Sequence, residues 1–157
     1  MDRPSRLRNW LVLLQLRTNQ LRRMTMTETQ AKTAQFRARL ELPISDLIQL
    51  VNQAYETEAI AYWVAYARDA ERGEPDMFGH QNVYQFNLDA QDDEETYHVD
   101  INTMRNGIQD ILNGLEDTEH VKGYILKALV DGDLGYIDSD ALDQIVQAGT
   151  FGTIVYG

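Results

Sequence analysis

ISDLIQLVNQAYETEAIAYWVAYARDAER, residues 44–72, is the stretch whose reading decides the fold. Leu47, Ile48, Val51, Ala54, Tyr55, Tyr62, Tyr66 and Ala70 recur at three- and four-residue steps, the period of one helix face. Pro43 and Ser45 supply start signals, and Gly73 followed by Pro75 supplies a stop. The spacing predicts one helix of about seven or eight turns, ~40 Å long at 1.5 Å per residue. Tyr55, Tyr62 and Tyr66 share its apolar face, with Trp63 about a quarter turn away. These rings admit two readings: a stacking platform for a base or nucleotide, or core side chains whose polar tips reach water.

Downstream, GEPDMFGHQN (residues 73–82) reads as a loop because it carries two glycines and a proline. Val83–Asp89 alternates, with Tyr84, Phe86 and Leu88 on one face and Gln85 and Asn87 on the other. Tyr97–Ile101 alternates likewise, which predicts an antiparallel hairpin of two half-buried strands. Asn102 or Thr103 would cap a helix through Met104, Ile108, Ile111, Leu112 and Leu115 that frays at Gly114. Asp117 or Thr118 would cap the next, carrying Val121, Ile125, Ala128 and Leu129 and ending at Gly132. Gly123 within it weakens the helix by about 1 kcal/mol relative to Ala and marks a close packing contact. A last helix runs from Asp138 or Ser139 to Gly149, with a weak capping-box pattern in Asp140 and Asp143. The β-prone run Thr153-Ile154-Val155-Tyr156 predicts a closing strand beside the hairpin. The expected fold is α+β: a small antiparallel sheet, hairpin plus C-terminal strand, packed against a long N-terminal helix and shorter helices.

Charge divides the chain in two. Residues 1–43 hold nine of the 14 Lys and Arg but three of the 25 acids, a net of +6, whereas residues 44–157 carry −17. The expected organisation is a loose basic extension over 1–43 and an acidic α+β domain over 44–157. Leu7, Trp10, Leu11, Leu14 and Leu21 sit at helical spacing among arginines, so the leader also reads as an amphipathic helix for an anionic surface. Met24 and Met26 offer later start codons. An acidic body repels phosphates and attracts basic surfaces, which excludes direct nucleic-acid binding by the body. No apolar run approaches the ~18 residues of a membrane span. The absence of cysteine removes disulfides and thiolate metal sites and fits a reducing compartment.

Candidate chemistry is sparse. Asp131–Asp140 places acids in a turn-rich link, but a calcium loop would need Gly where Tyr136 stands and an acid where Leu142 stands. His80, His98 and His120 have no ligand spacing between them. Nucleophile elbows and phosphate-binding glycine loops are missing, so no catalytic, cofactor or metal residue is assigned. The acidic tip Asp89, Asp92, Asp93, Glu94 and Glu95 offers five carboxylates in seven residues, either a phosphate mimic for a basic partner or a solvated loop.

DLIQLVNQAYE…AIAYW (46–63) and DSDALDQIVQAGTFGTIVYG (138–157) resemble small uncharacterised bacteriophage and prophage proteins, which pair an early Tyr-Trp helix with a C-terminal Phe-Gly-x-Ile/Val-Val-Tyr-Gly motif. The resemblance covers roughly residues 44–157 and transfers no activity. It implies a phage-encoded accessory protein acting in the host cytoplasm. Two functional expectations follow. One is a non-enzymatic protein that binds a host macromolecule with a basic surface, in host takeover or anti-defence. The other is a small-ligand or nucleotide sponge using Tyr55, Tyr62, Trp63 and Tyr66, which requires some of Arg68, Arg72, Arg105, Lys122 and Lys127 to converge beside the rings.

Overall fold

The computed structural model describes residues 40–157, so the expectations placed on residues 1–39 lie outside the described residues. The elements run α1 (Ile44–Glu56), a 3-10 turn (Glu58–Ile60), β1 (Val64–Arg72), β2 (Val83–Ala90) and β3 (Thr96–Val99). They continue with α2 (Ile101–Leu112), α3 (Glu119–Asp131), a second 3-10 turn (Leu134–Tyr136) and α4 (Ser139–Phe151). This is an α+β fold with a three-stranded antiparallel sheet in the order β1-β2-β3. No helix among the described residues is long and apolar enough to cross a membrane.

The expected single helix over 44–72 is two elements. α1 ends at Glu56 because Thr57 turns extended (φ −102°, ψ 166°) and its hydroxyl accepts the Ala59 amide at 3.4 Å, opening the 3-10 turn. Beyond the turn, Val64–Arg72 pairs with β2, from Val64 opposite Ala90 to Arg72 opposite Val83. Tyr62, Tyr66 and Ala70 fit a helical period, yet alternate spacing in a strand satisfies most of the same positions, and partner pairing decides between them. The register shifts at three places along β1, and Asp69 sits in the left-handed region (φ 55°) at one of these irregularities.

β1 therefore supplies the third strand, and the predicted closing strand does not form: residues 152–157 carry no regular structure. Gly149 does not stop the last helix, which runs on to Phe151 and ends at left-handed Gly152 (φ 72°). The hairpin stands as β2 and β3, but Val83, Phe86, Leu88 and Ala90 are its buried residues and Tyr84 is exposed. The inward stripe shifts where the β1 irregularities twist the pair. Asp100, not Asn102 or Thr103, caps α2. Its carboxylate accepts the Asn102 and Thr103 amides at 2.8 and 3.0 Å, and Thr103 Oγ1 accepts the Asp100 amide in return.

α1 lies against β2, and α2 and α4 cross over the same core. Leu50, Val51, Trp63, Phe86, Leu88, Met104, Ile111, Ile125 and Ile145 are fully buried between them. The tight helix contact is not at Gly123, where a Cβ would meet open space. It is at Gly107 and Gly149. A Cβ on Gly107 would stand 2.0 Å from the Ile145 carbonyl oxygen, and one on Gly149 would stand 2.0 Å from that of Thr103. Backbone meets backbone there, so no side-chain rotation relieves the clash.

Gly107→Ala and Gly149→Ala are each expected to destabilise the protein by about 3 kcal/mol. Gly123→Ala, in an open helical position, is expected to stabilise it by about 0.5–1 kcal/mol. Urea unfolding of the three variants checks both signs.

Candidate functional site

The most connected polar side chains converge where the residues after the first 3-10 turn meet α4. Trp63, 1% exposed, enters the core and donates from Nε1 to Asp143 Oδ1 at 2.6 Å. The neighbouring Tyr62 runs along the surface and donates from its hydroxyl to Asp143 Oδ2 at 2.8 Å. Gln147, one turn along α4 and wholly buried, donates from Nε2 to the same Oδ2 at 2.8 Å. The Asp143 carboxylate thus receives three donors from two elements. Burial nevertheless raises its pKa, opposed by the bonds from Trp63, Tyr62 and Gln147 and reinforced by nearby Asp140. The Tyr62 phenol is pushed up to about 12 by burial and by its bond to Asp143.

Gln147 also holds the segment that follows α4. Its Oε1 accepts the Val155 and Tyr156 amides at 2.9 and 2.8 Å, and its Nε2 donates to the Tyr156 carbonyl at 2.9 Å. That carbonyl also lies 3.2 Å from the Tyr62 hydroxyl. The Tyr156 ring stacks on Trp63, with centroids 5.2 Å apart and planes 6° from parallel, and Phe151 meets both rings edge-on.

This arrangement walls an open groove of about 770 Å³. Glu58, Asp117, Asp140 and Asp143 bring four carboxylates to its lining, beside Tyr62 and His120, and no Lys or Arg lines it among the described residues. Asp117 holds a left-handed backbone (φ 65°) just before α3. Gln144 lies 3.0 Å through Nε2 from His120 Nε2, which must then accept, while its Oε1 is buried with no hydrogen-bond partner among the described residues. The chemistry offered is that of acceptors: carboxylates and an amide oxygen suited to ammonium or guanidinium donors.

The tyrosines of the predicted stripe do not form one platform. Tyr55 packs edge-on to Phe86 and under the Arg72 guanidinium, and Tyr66 is 70% exposed on β1. Only Tyr62 and Trp63 come together, through Asp143. The basic residues do not converge beside them. Arg68 pairs with Asp89, Arg72 with Glu56, and Lys127 lies over the Tyr136 ring, while Arg105 and Lys122 are absent from the groove lining.

The acidic tip is divided. Asp89 takes both nitrogens of Arg68 at 3.1 Å and the Thr96 hydroxyl at 2.6 Å, and these bonds hold its pKa low. Asp93 accepts the Tyr97 hydroxyl and the Glu95 amide, and is lowered likewise. Asp92, Glu94 and Glu95 are exposed. In the Asp131–Asp140 link, Asp133 accepts the Gly135 amide and Asp138 caps α4 through the Ala141 amide. Asp143 takes no part in a capping box. His80 sits by Asp76, His98 by Asn87 and His120 by Gln144, and no group of three metal-capable side chains occurs among the described residues.

Asp143 and Gln147 are the site residues the sequence reading missed. Their signal is position: they fall one turn apart among Ala141, Leu142, Ile145, Val146 and Ala148, where a buried stripe admits polar groups only with partners. No protein family, curated protein or solved structure matches the chain.

A carboxyl whose pKa is raised by folding contributes stability that is complete below its unfolded value and lost as pH rises through the folded one. The stability of the wild type relative to Asp143→Asn is therefore expected to fall as pH rises from about 4 upward, beyond the ordinary aspartate range. The lowered carboxylates Asp76, Asp89, Asp93 and Asp100 are common to both proteins and cancel. Urea unfolding of the pair across that range measures the difference.

Proposed function

We propose that this chain is a non-enzymatic accessory protein of phage origin that binds a host macromolecule through its acidic surface, in host takeover or anti-defence. The observation that carries this reading is the groove lined by Glu58, Asp117, Asp140 and Asp143, with no Lys or Arg among its described lining residues. The net charge of −17 over residues 44–157 supplies the long-range attraction for a basic partner, and the groove supplies the short-range acceptors. The unpartnered Gln144 Oε1 beside it is a further acceptor that a cationic donor would satisfy. The groove is favoured over the Asp89–Glu95 tip for the acceptors of Glu58, Asp117 and Asp140, since Asp143, like Asp89 and Asp93 at the tip, spends its oxygens on bonds within the chain. The nucleotide-sponge alternative needs cations beside Tyr62 and Trp63, and the groove there is lined with acids. Host cytoplasm is the compartment this reading entails.

The test uses the full chain and a polyarginine peptide, with binding followed by isothermal titration calorimetry. Affinity is expected to fall at least about tenfold between low salt and 0.5 M KCl. Glu58→Lys with Asp140→Lys is expected to weaken binding more than the equal charge reversal Asp92→Lys with Glu94→Lys. Binding indifferent to salt, or equally weakened by both pairs, would sink the groove as the recognition surface.

A further inference from the structure

Residues 153–157 make no backbone–backbone hydrogen bond to any other described residue. The segment is held by side chains alone. One buried amide, Gln147, reads two successive amides and a carbonyl of the segment after α4, and the indole of Trp63 receives the Tyr156 ring. Tyr62 adds a hydroxyl beside that carbonyl. A Gln side chain can bond with either end of its amide, and Asp143 fixes the choice. Because Nε2 is committed to the carboxylate, Oε1 faces the segment's N–H groups.

This is the layout of a peptide-binding site: backbone contacts for affinity and a ring-sized pocket for selectivity. We propose that Gln147, Trp63 and Tyr62 form a peptide clamp, filled in cis by residues 154–157, which accepts in trans a segment carrying a tyrosine. The cis occupant, Ile154-Val155-Tyr156-Gly157, defines the ligand class. Exchange is possible because the occupant leaves without breaking a sheet ladder. A partner's segment is the fitting source, since two chains of net charge −11 repel one another before their segments can cross over. The clamp goes beyond the acidic-groove reading and needs no basic residue in its ligand.

In the wild type the tethered segment competes at a high effective concentration, so a free peptide binds weakly. Tyr156→Pro removes the ring and one of the two amides that Gln147 accepts, and so loosens the cis occupant in the full chain. A synthetic Thr-Ile-Val-Tyr-Gly peptide, blocked at both ends, is the probe, and ¹⁵N NMR titration monitoring the Trp63 indole is the readout. Y156P is expected to bind the peptide at least about tenfold more tightly than the wild type does. Binding should vanish when Gln147→Glu is added, since a carboxylate cannot donate to the peptide carbonyl, and when alanine replaces tyrosine in the peptide. Light scattering of wild type and Y156P should show monomers; a dimer formed by the wild type alone would make a second copy the occupant and overturn the partner assignment. A Y156P protein that keeps its helical circular dichroism yet fails to bind, or binds regardless of Gln147, overturns the clamp. Neither result touches the salt-dependent binding of polyarginine.

Discussion

A carboxylate inside the protein, Asp143, ties together parts of the chain that are far apart in sequence. Taking it out of water would cost several kcal/mol unopposed. An indole N–H, a phenol and an amide converge on it, and hydrogen bonds to a charged group are worth about 1.5–3 kcal/mol each. Burial still prevails, which is why its pKa rises rather than falls. The constraint is geometric as much as energetic. Trp63 and Tyr62 reach one carboxylate only if the chain turns sharply after α1, and Gln147 shares it because it stands one turn along α4. The turn that breaks the expected rod thus serves this contact.

The fold class was legible because most of it rests on local patterns. Alternation in Val83–Asp89 and helical spacing around Met104, Ile108 and Ile111 describe elements whose burial follows their own sequence. Residues 64–72 were misread because β1 is an edge strand with five successive exposed residues, Ala65 to Asp69, and so lacks the inward alternation that reveals a strand. The closing run failed for the opposite reason. Ile154, Val155 and Tyr156 have strand-like composition, but their hydrogen bonds go to a glutamine side chain, which no propensity encodes.

The candidate site was less legible than the fold. Acid counts and aromatic spacing drew attention to the 89–95 tip and the tyrosine stripe, the loudest features of the sequence. What organises the groove is quieter: one acid and one amide among apolar neighbours on α4. Their importance comes from partners some eighty residues away, at Tyr62 and Trp63, and such long-range pairing leaves no periodic trace. Gly107 and Gly149 are similar, since their role appears only when two helices meet backbone to backbone.

The irregular course of β1 has a consequence for the protein in a crowded cell. A nine-residue strand at a sheet margin is a template on which unrelated chains could zip up by main-chain pairing. Its shifts of register, the left-handed kink at Asp69 and the charged run Arg68, Asp69, Glu71 and Arg72 spoil that template along its length. Among the described residues the margin is thus unpaired yet poorly suited to main-chain pairing with another chain.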